Sequence, residues 1–348
     1  MKIAEVEFAL IELRRRVHPA GVRRLMVQMT TDTGLTGWGE ARSVWRSDEL
    51  LARREAILAI LAGRSVYEIE ELGVLDTLAD RSIRCAMETA CWDLIGRSMQ
   101  QPLCHLWGGG YRRRIPLAVR LPFGSPDEIA RLSGELADQG IQAQIIVSTG
   151  DPETDVQIVA AIREQVSQRV ELRLDGRETY SRDVAQQLCL NLEPYRLQFF
   201  LDPMAKPSGR DWSTLAAHTT VRLGAGRSIR CPADLFELAR LGAVRYVTLD
   251  LHNVGGIQSA RRCIAVAASA DIRPVLSCGS SPGPALAAML HLAGSEPAAA
   301  WCNETAHYRL EGDILLESLE VTGGMLTVPQ GPGLGIEIDR AKFEQYRI

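Results

Sequence analysis

From Pro116 onward the chain repeats one grammar eight times, a short β-rich run followed by a longer amphipathic one. The runs are PLAVRLPF, QAQIIVS, VELRLD, LQFFLD, VRLGAG, YVTLD, RPVLSC and AAWCNE. Strands separated by helix-length segments pair in parallel, because a parallel connection needs a crossover that a tight turn cannot supply. Eight such units close into a barrel with its helices outside. The segment DPETDVQIVAAIREQV shows how a crossover is encoded: Asp151 is a helix cap, Pro152 suits the first helical position, and Val156, Val159, Ile162 and Val166 form one face. The expected fold class is therefore α/β, a parallel (β/α) barrel.

The chain ahead of the barrel reads differently. KIAEVEFALIEL, RRLMVQMTTDTG and LTGWGEA form a meander punctuated by Gly34, Gly37 and Gly39. From Ser47 to about Ser98 the pattern is helical, with Met87, Ala90, Cys91 and Leu94 on one face and Gly96 placed to stop the run. The tail from Leu310 to Ile348 returns to meander style. With 348 residues the chain exceeds one compact core, and the reading divides it into a first domain (1–114), the barrel (115–309) and a segment rejoining the first domain (310–348).

A net charge of −4, with 24% charged residues, gives no basic surface for nucleic acid or an anionic membrane. No stretch is long and apolar enough to span a bilayer, and MKIAEVEFAL, with acids inside its apolar run, reads as a first strand rather than a signal peptide. The eight scattered cysteines have no metal-ligand spacing and read as reduced thiols in a cytoplasmic protein. Of 39 basic residues only Lys2, Lys206 and Lys342 are lysines, which limits where a lysine base can stand.

Three stretches carry a resemblance: TTDTGLTGWGEA (Thr30 to Ala41), AMETACWDLIGRSMQQPLCHLWGG (Ala86 to Gly109) and MLTVPQGPGLGIEID (Met325 to Asp339). In order and spacing they resemble the mandelate racemase and muconate lactonizing branch of the enolase superfamily. The resemblance implies a modified (β/α)7β TIM-type barrel closed by an α+β capping domain built from both termini, and a homo-oligomer. It also implies chemistry at the carboxyl ends of the strands, where a Lys or His base works with Mg²⁺ on an ene-diolate. Two capping loops near Arg14 to Arg23 and Ser43 to Asp48 would choose the substrate, making Arg15, Arg16, His18, Trp45 and Arg46 candidates to face it, with a solvated arginine-rich loop as the other reading.

Carried over strand by strand, the resemblance predicts a changed site. The second strand's paired lysines fall on Ile146 and Ser148. The three metal-ligating carboxylates fall on Asp175, which is retained, on Leu201, with Asp202 next to it, and on Arg227. The sixth strand keeps an acid at Asp250, the seventh has Cys278 in place of a histidine, and the eighth keeps Glu304. Mg²⁺ wants near-octahedral oxygen ligation, whereas arginine brings donors and a fixed positive charge. The expectation is no bound Mg²⁺ and an Asp175–Arg227 pair in its place, with Arg227 either wholly internal to the protein or holding a substrate carboxylate. Ser148, Asp202, His252, Lys206, His18 and Arg46 are the further candidate ligand contacts. Two functions stay open: a divergent protein whose barrel mouth binds a small carboxylate, and a metal-independent isomerase, racemase or lyase using Asp250, Glu304 and Cys278 as acid-base groups.

Overall fold

The computed structural model describes every residue except Val17, Ser43, Val44, Ser47, Gly73, Asp76 and Thr77, and the side chains of His18 and Pro19. The cap begins with an antiparallel sheet in the order β1 (Ile3–Arg15), β2 (His18–Thr31), β3 (Thr36–Ala41). Four helices follow: α1 (Leu50–Leu61), α2 (Ile69–Leu72), α3 (Arg81–Ser98) and α4 (Leu103–Leu106). α3 starts where the Asp80 carboxylate accepts the N–H groups of Ser82 and Ile83, which would otherwise lack partners. It lies directly on β3: a Cβ at Gly39 would sit 1.9 Å from the Ala86 carbonyl oxygen, so the glycines of TGWGEA permit that approach. Gly96 does not stop α3, which runs on to Ser98. A Cβ there would come within 2.5 Å of the Gly333 backbone, so Gly96 is small because the tail crosses the helix at that point.

The barrel strands are β4 (Arg114–Arg120), β5 (Ala143–Val147), β6 (Glu171–Asp175), β7 (Phe199–Leu201), β8 (Leu223–Ala225), β9 (Tyr246–Asp250), β10 (Arg273–Ser277) and β11 (Asn303–Glu304). They pair in parallel in sequence order, and β11 returns to β4 through Asn303↔Leu117 and Glu304↔Ala118, closing the ring. The eight β-rich runs of the sequence are these strands. Between them lie α5 (Pro126–Asp138), α6 (Pro152–Val166), α7 (Arg182–Leu192), α8 (Gly209–Ala217), α9 (Pro232–Arg240), the short α10 (Leu251–Val254) with α11 (Ile257–Ser269), and α12 (Pro284–Ser295). α6 is capped by Asp151, which accepts the Thr154 N–H, and buries Val159, Ile162 and Val166, leaving Val156 partly exposed.

Register decides which side chains enter the barrel. Residues paired across a parallel ladder share a face, and faces alternate along each strand. Ile145 pairs with Arg173, Val147 with Asp175 and Asp175 with Leu201. Asp250 pairs with Ser277, and Ser277 with Glu304. These are inward positions. Their neighbours Ile146, Leu174, Phe200, Leu249, Leu276 and Cys278 join the large core between sheet and helices.

The tail divides its contacts. β12 (Met325–Thr327) adds to β4 as an antiparallel strand, whereas α13 (Arg340–Tyr346) and the terminus return to the cap, where the Ile348 N–H donates to the Leu10 carbonyl. The segment from 310 therefore straps barrel and cap together rather than belonging to the cap alone.

Candidate functional site at the barrel mouth

Strand ends of β4 and of β6 to β11, with Ile145 of β5, meet the cap around a cavity of about 290 Å³. Its centre is a guanidinium. Arg227, two residues beyond β8, donates from Nη1 and Nη2 to the two oxygens of Asp175 at 2.8 and 3.0 Å, and Nη1 also reaches Asp202 Oδ2 at 2.8 Å. Asp202 turns toward it on a left-handed backbone (φ 44°) and accepts the N–H groups of Gly226 and Arg227. Arg120, at the end of β4, donates to Asp175 Oδ2 at 2.6 Å and lies 3.6 Å from Glu304 Oε2. Deeper in the barrel Arg173 bonds Glu304 Oε1 at 3.1 Å, Gln198 and the Cys302 carbonyl. On the far wall Asp250 caps α10 by accepting the N–H groups of His252 and Asn253, and pairs with Arg42 reaching down from the cap.

This order has electrostatic consequences. Burial alone would raise the Asp175 carboxyl, but Arg227 and Arg120 outweigh it and hold the group below the usual carboxylate range. Asp202 goes the other way: burial pushes it up to about 6, offset in part by the Arg227 N–H and guanidinium. Burial would lower the Arg227 guanidinium, yet Asp175 and Asp202 hold it above its ordinary value. The cations also stand between the acids and solvent. The side chains of Arg42 and Arg227 are 43% and 40% exposed, against 0% for Asp175 and 2% for Asp202. A molecule entering the cavity meets guanidinium edges first. Thr248 also lines the cavity, but its hydroxyl is itself buried and has no hydrogen-bond partner among the described residues.

The donor set does not fit a hexacoordinate Mg²⁺. Both Asp175 oxygens and both Asp202 oxygens are engaged by guanidinium or amide donors, Leu201 offers no oxygen, and Arg227 brings positive charge to the point where a cation would sit. Among the described residues no group of three or more His, Cys, Asp or Glu is arranged to hold a metal ion.

The structure brings Asp175, Asp202, Arg227, Asp250 and Glu304 to one cavity and sends several other candidates elsewhere. Cys278 alternates outward from Ser277, is fully buried, and has its thiol pushed up to about 12 by burial, so it is no acid-base group of this cavity. Ile146 likewise points to the helices, and the inward positions of β5 are Ile145 and Val147, neither of them a base. Ser148 is buried and shares a hydrogen bond of 2.8 Å with the Tyr180 hydroxyl, away from the ligand space. His252 is buried against the cap, 3.5 Å from the Ser82 hydroxyl, and burial holds its imidazole well below the usual value. Lys206 lies on an exposed turn outside the cavity lining.

The capping-loop candidates also miss the cavity. Arg46 pairs with Asp48 on the surface, Arg16 donates to the Leu310 carbonyl, and Trp45 packs edge-on against Phe8. Arg15 bridges to Leu310 at the foot of the hairpin, and the side chain of His18 lies outside the described residues. Sequence reasoning missed Arg120, Arg42 and Arg173. Arg120 was recoverable, since it is the last residue of the first barrel strand and strand ends line the mouth. Arg42 is placed by the β3 meander and carried no local signal.

Fold and site together define a capped parallel barrel with a polar site at its carboxyl face. The enolase C-terminal domain-like family model matches residues 128–342, and the mandelate racemase/muconate lactonizing enzyme N-terminal domain model matches residues 3–108. The chain belongs to the mandelate racemase/muconate lactonizing enzyme family of enolase-like proteins. It is 27% identical over 327 residues to the chloromuconate cycloisomerase of Pseudomonas putida, covering 90% of this chain and 88% of that one. An enolase from Streptomyces coelicolor superposes with a TM-score of 0.88 at 26% identity, covering 99% of this chain and 96% of that one. The dipeptide epimerase of Enterococcus faecalis V583, at 23% identity, shares the fold with a TM-score of 0.89 over 97% of this chain and 100% of that one.

Proposed function

We propose that the barrel mouth binds a small carboxylate and that Mg²⁺-assisted removal of an α-proton, the chemistry implied by the family, is not carried out here. Family membership and the cycloisomerase relatives support an isomerase, racemase or cycloisomerase type of protein in general. The single observation that favours the narrower reading is the Arg227 guanidinium bridging Asp175 and Asp202 at the place where the resemblance implies a cation. Abstraction beside a carboxylate builds concentrated negative charge, which a metal stabilises by several kcal/mol. One guanidinium offers about one strong oxyanion contact, ~3 to 4 kcal/mol, and here it is already shared between two acids. The exposed edges of Arg42 and Arg227 suit a carboxylate.

A second reading, metal-independent acid-base catalysis, is favoured by Asp250 and Glu304 lining the same cavity. One experiment separates the two: a panel of hydroxy acids, amino-acid derivatives and sugar acids, incubated with the protein in D₂O and followed by NMR, with melting temperatures measured in parallel. The proposal expects a carboxylate that raises the melting temperature, with no deuterium entering the α-position. Exchange that disappears in Asp250→Asn would establish the second reading instead.

A further inference from the structure

At the end of the barrel opposite the mouth, three neighbouring strands each have an arginine at their first residue or just before it. Arg222 precedes β8, Arg245 precedes β9 and Arg273 opens β10. The ladder fixes their adjacency: the Arg245 N–H donates to the Leu223 carbonyl and the Arg273 N–H to the Arg245 carbonyl, each at 2.9 Å. Neighbouring strands run about 4.8 Å apart, so the three residues stand side by side at this end of the barrel. With Asp271 they line a recess of about 220 Å³. All three arginines are exposed, and neither Arg222 nor Arg245 makes a side-chain hydrogen bond or ion pair among the described residues.

Arg273 is held in place independently of any ligand. Its guanidinium lies 4.5 Å over the Trp301 ring and 5.6 Å from the Tyr246 ring, and Nη1 donates to the Tyr246 hydroxyl at 2.9 Å. Tyr246 is itself stacked on Phe199 at 4.5 Å. A donor fixed in this way loses little freedom when an anion binds.

We infer that this recess is a binding site for the phosphate group of a small anion. The charge count favours phosphate over carboxylate: three guanidiniums and one carboxylate leave two formal positive charges, and a phosphate monoester near neutral pH carries about −1.5 to −2. The guanidinium fork matches phosphate oxygens in pairs, and three forks need more acceptor oxygens than a carboxylate has. The site is remote from the mouth, so it stands whether or not the reading of the mouth does.

The test is isothermal titration calorimetry of the full chain with inorganic phosphate, with acetate as the carboxylate control. Expected are saturable one-to-one binding of phosphate that weakens as NaCl is added, with an affinity no lower in acetate than in NaCl of the same ionic strength. Arg245→Gln, whose side chain has no hydrogen-bond or ion-pair partner among the described residues, should weaken phosphate by about tenfold at unchanged melting temperature, one charge-assisted contact being on the order of that factor. Arg42→Gln at the mouth should leave phosphate affinity unchanged. Absence of saturable phosphate binding, or an unchanged affinity in the Arg222→Gln/Arg245→Gln double variant, or loss of binding in Arg42→Gln, would each overturn the inference.

Discussion

Asp175, buried at the barrel mouth, and Glu88, buried at the seam between cap and barrel, are treated in opposite ways. At the mouth Asp175 is enclosed by two guanidiniums and is held below the usual carboxylate range. At the seam Glu88 of α3 is equally buried, but its closest donor is a backbone one, the Gln258 N–H at 2.7 Å in the first turn of α11, and burial pushes the carboxyl up to about 7. The contrast shows that burial alone does not decide a carboxyl's charge. What decides it is whether the cations beside it outweigh burial: two guanidiniums bonded to Asp175 do, whereas Arg227 alone at Asp202 and Arg84 near Glu88 do not.

The largest expected effect comes from removing the acid at the mouth. Asp175→Ala leaves Arg120 and Arg227 facing one another without their shared anion, and breaking a buried pair from one side costs about 3 to 5 kcal/mol. Because both arginines are partly exposed, the loss should fall near the lower end, measured by urea or thermal unfolding. Little change in stability would mean that the network is not a structural unit.

Glu88 gives the next effect, with the opposite pH dependence. Its folded value of about 7 lies above the ordinary 4.5, so between those values the folded state holds a proton that the unfolded chain has released. Its contribution is present below pH 4.5 and is lost as pH climbs toward 7, by up to about 3 kcal/mol. Glu88→Gln should flatten that part of the stability profile. Asp175, lowered, contributes stability that is present above its unfolded value near 3.8 and is lost as pH falls through its folded value. Parallel profiles for Glu88→Gln and the parent would erase the distinction between the two regions.

A smaller effect is expected from Arg227→Gln. Asp175 keeps Arg120, so the cost should be about 1 to 2 kcal/mol. Asp202 loses its only guanidinium partner among the described residues, so its carboxyl should titrate above 6 by NMR. A downward movement would show that Arg227 is not what holds this acid.

The barrel was legible because eight short runs with intervening crossovers admit few alternatives, and α6 could be read to its first residue from Asp151 and Pro152. Gly96 misled because local punctuation and close packing select the same residue, and only the tertiary crossing by Gly333 separates them. At the site, Asp175, Asp250 and Glu304 came from carrying the family resemblance onto the strand ends. Ile146 and Cys278 were each one residue away from an inward position, and with a period of two that slip turns a pocket residue into a helix contact. The register between strands, which no single strand encodes, is what places Ile145, Val147 and Ser277 inside. The same limit hid Arg42, which reaches Asp250 across 208 positions of chain.

The comparison rests on a guanidinium standing where the family resemblance implies a metal, and calorimetric titration of the purified chain with Mg²⁺ tests it most directly. The account predicts dilution heats only, in the parent and in Asp175→Asn alike. A stoichiometric submillimolar site in the parent that disappears in Asp175→Asn would contradict it.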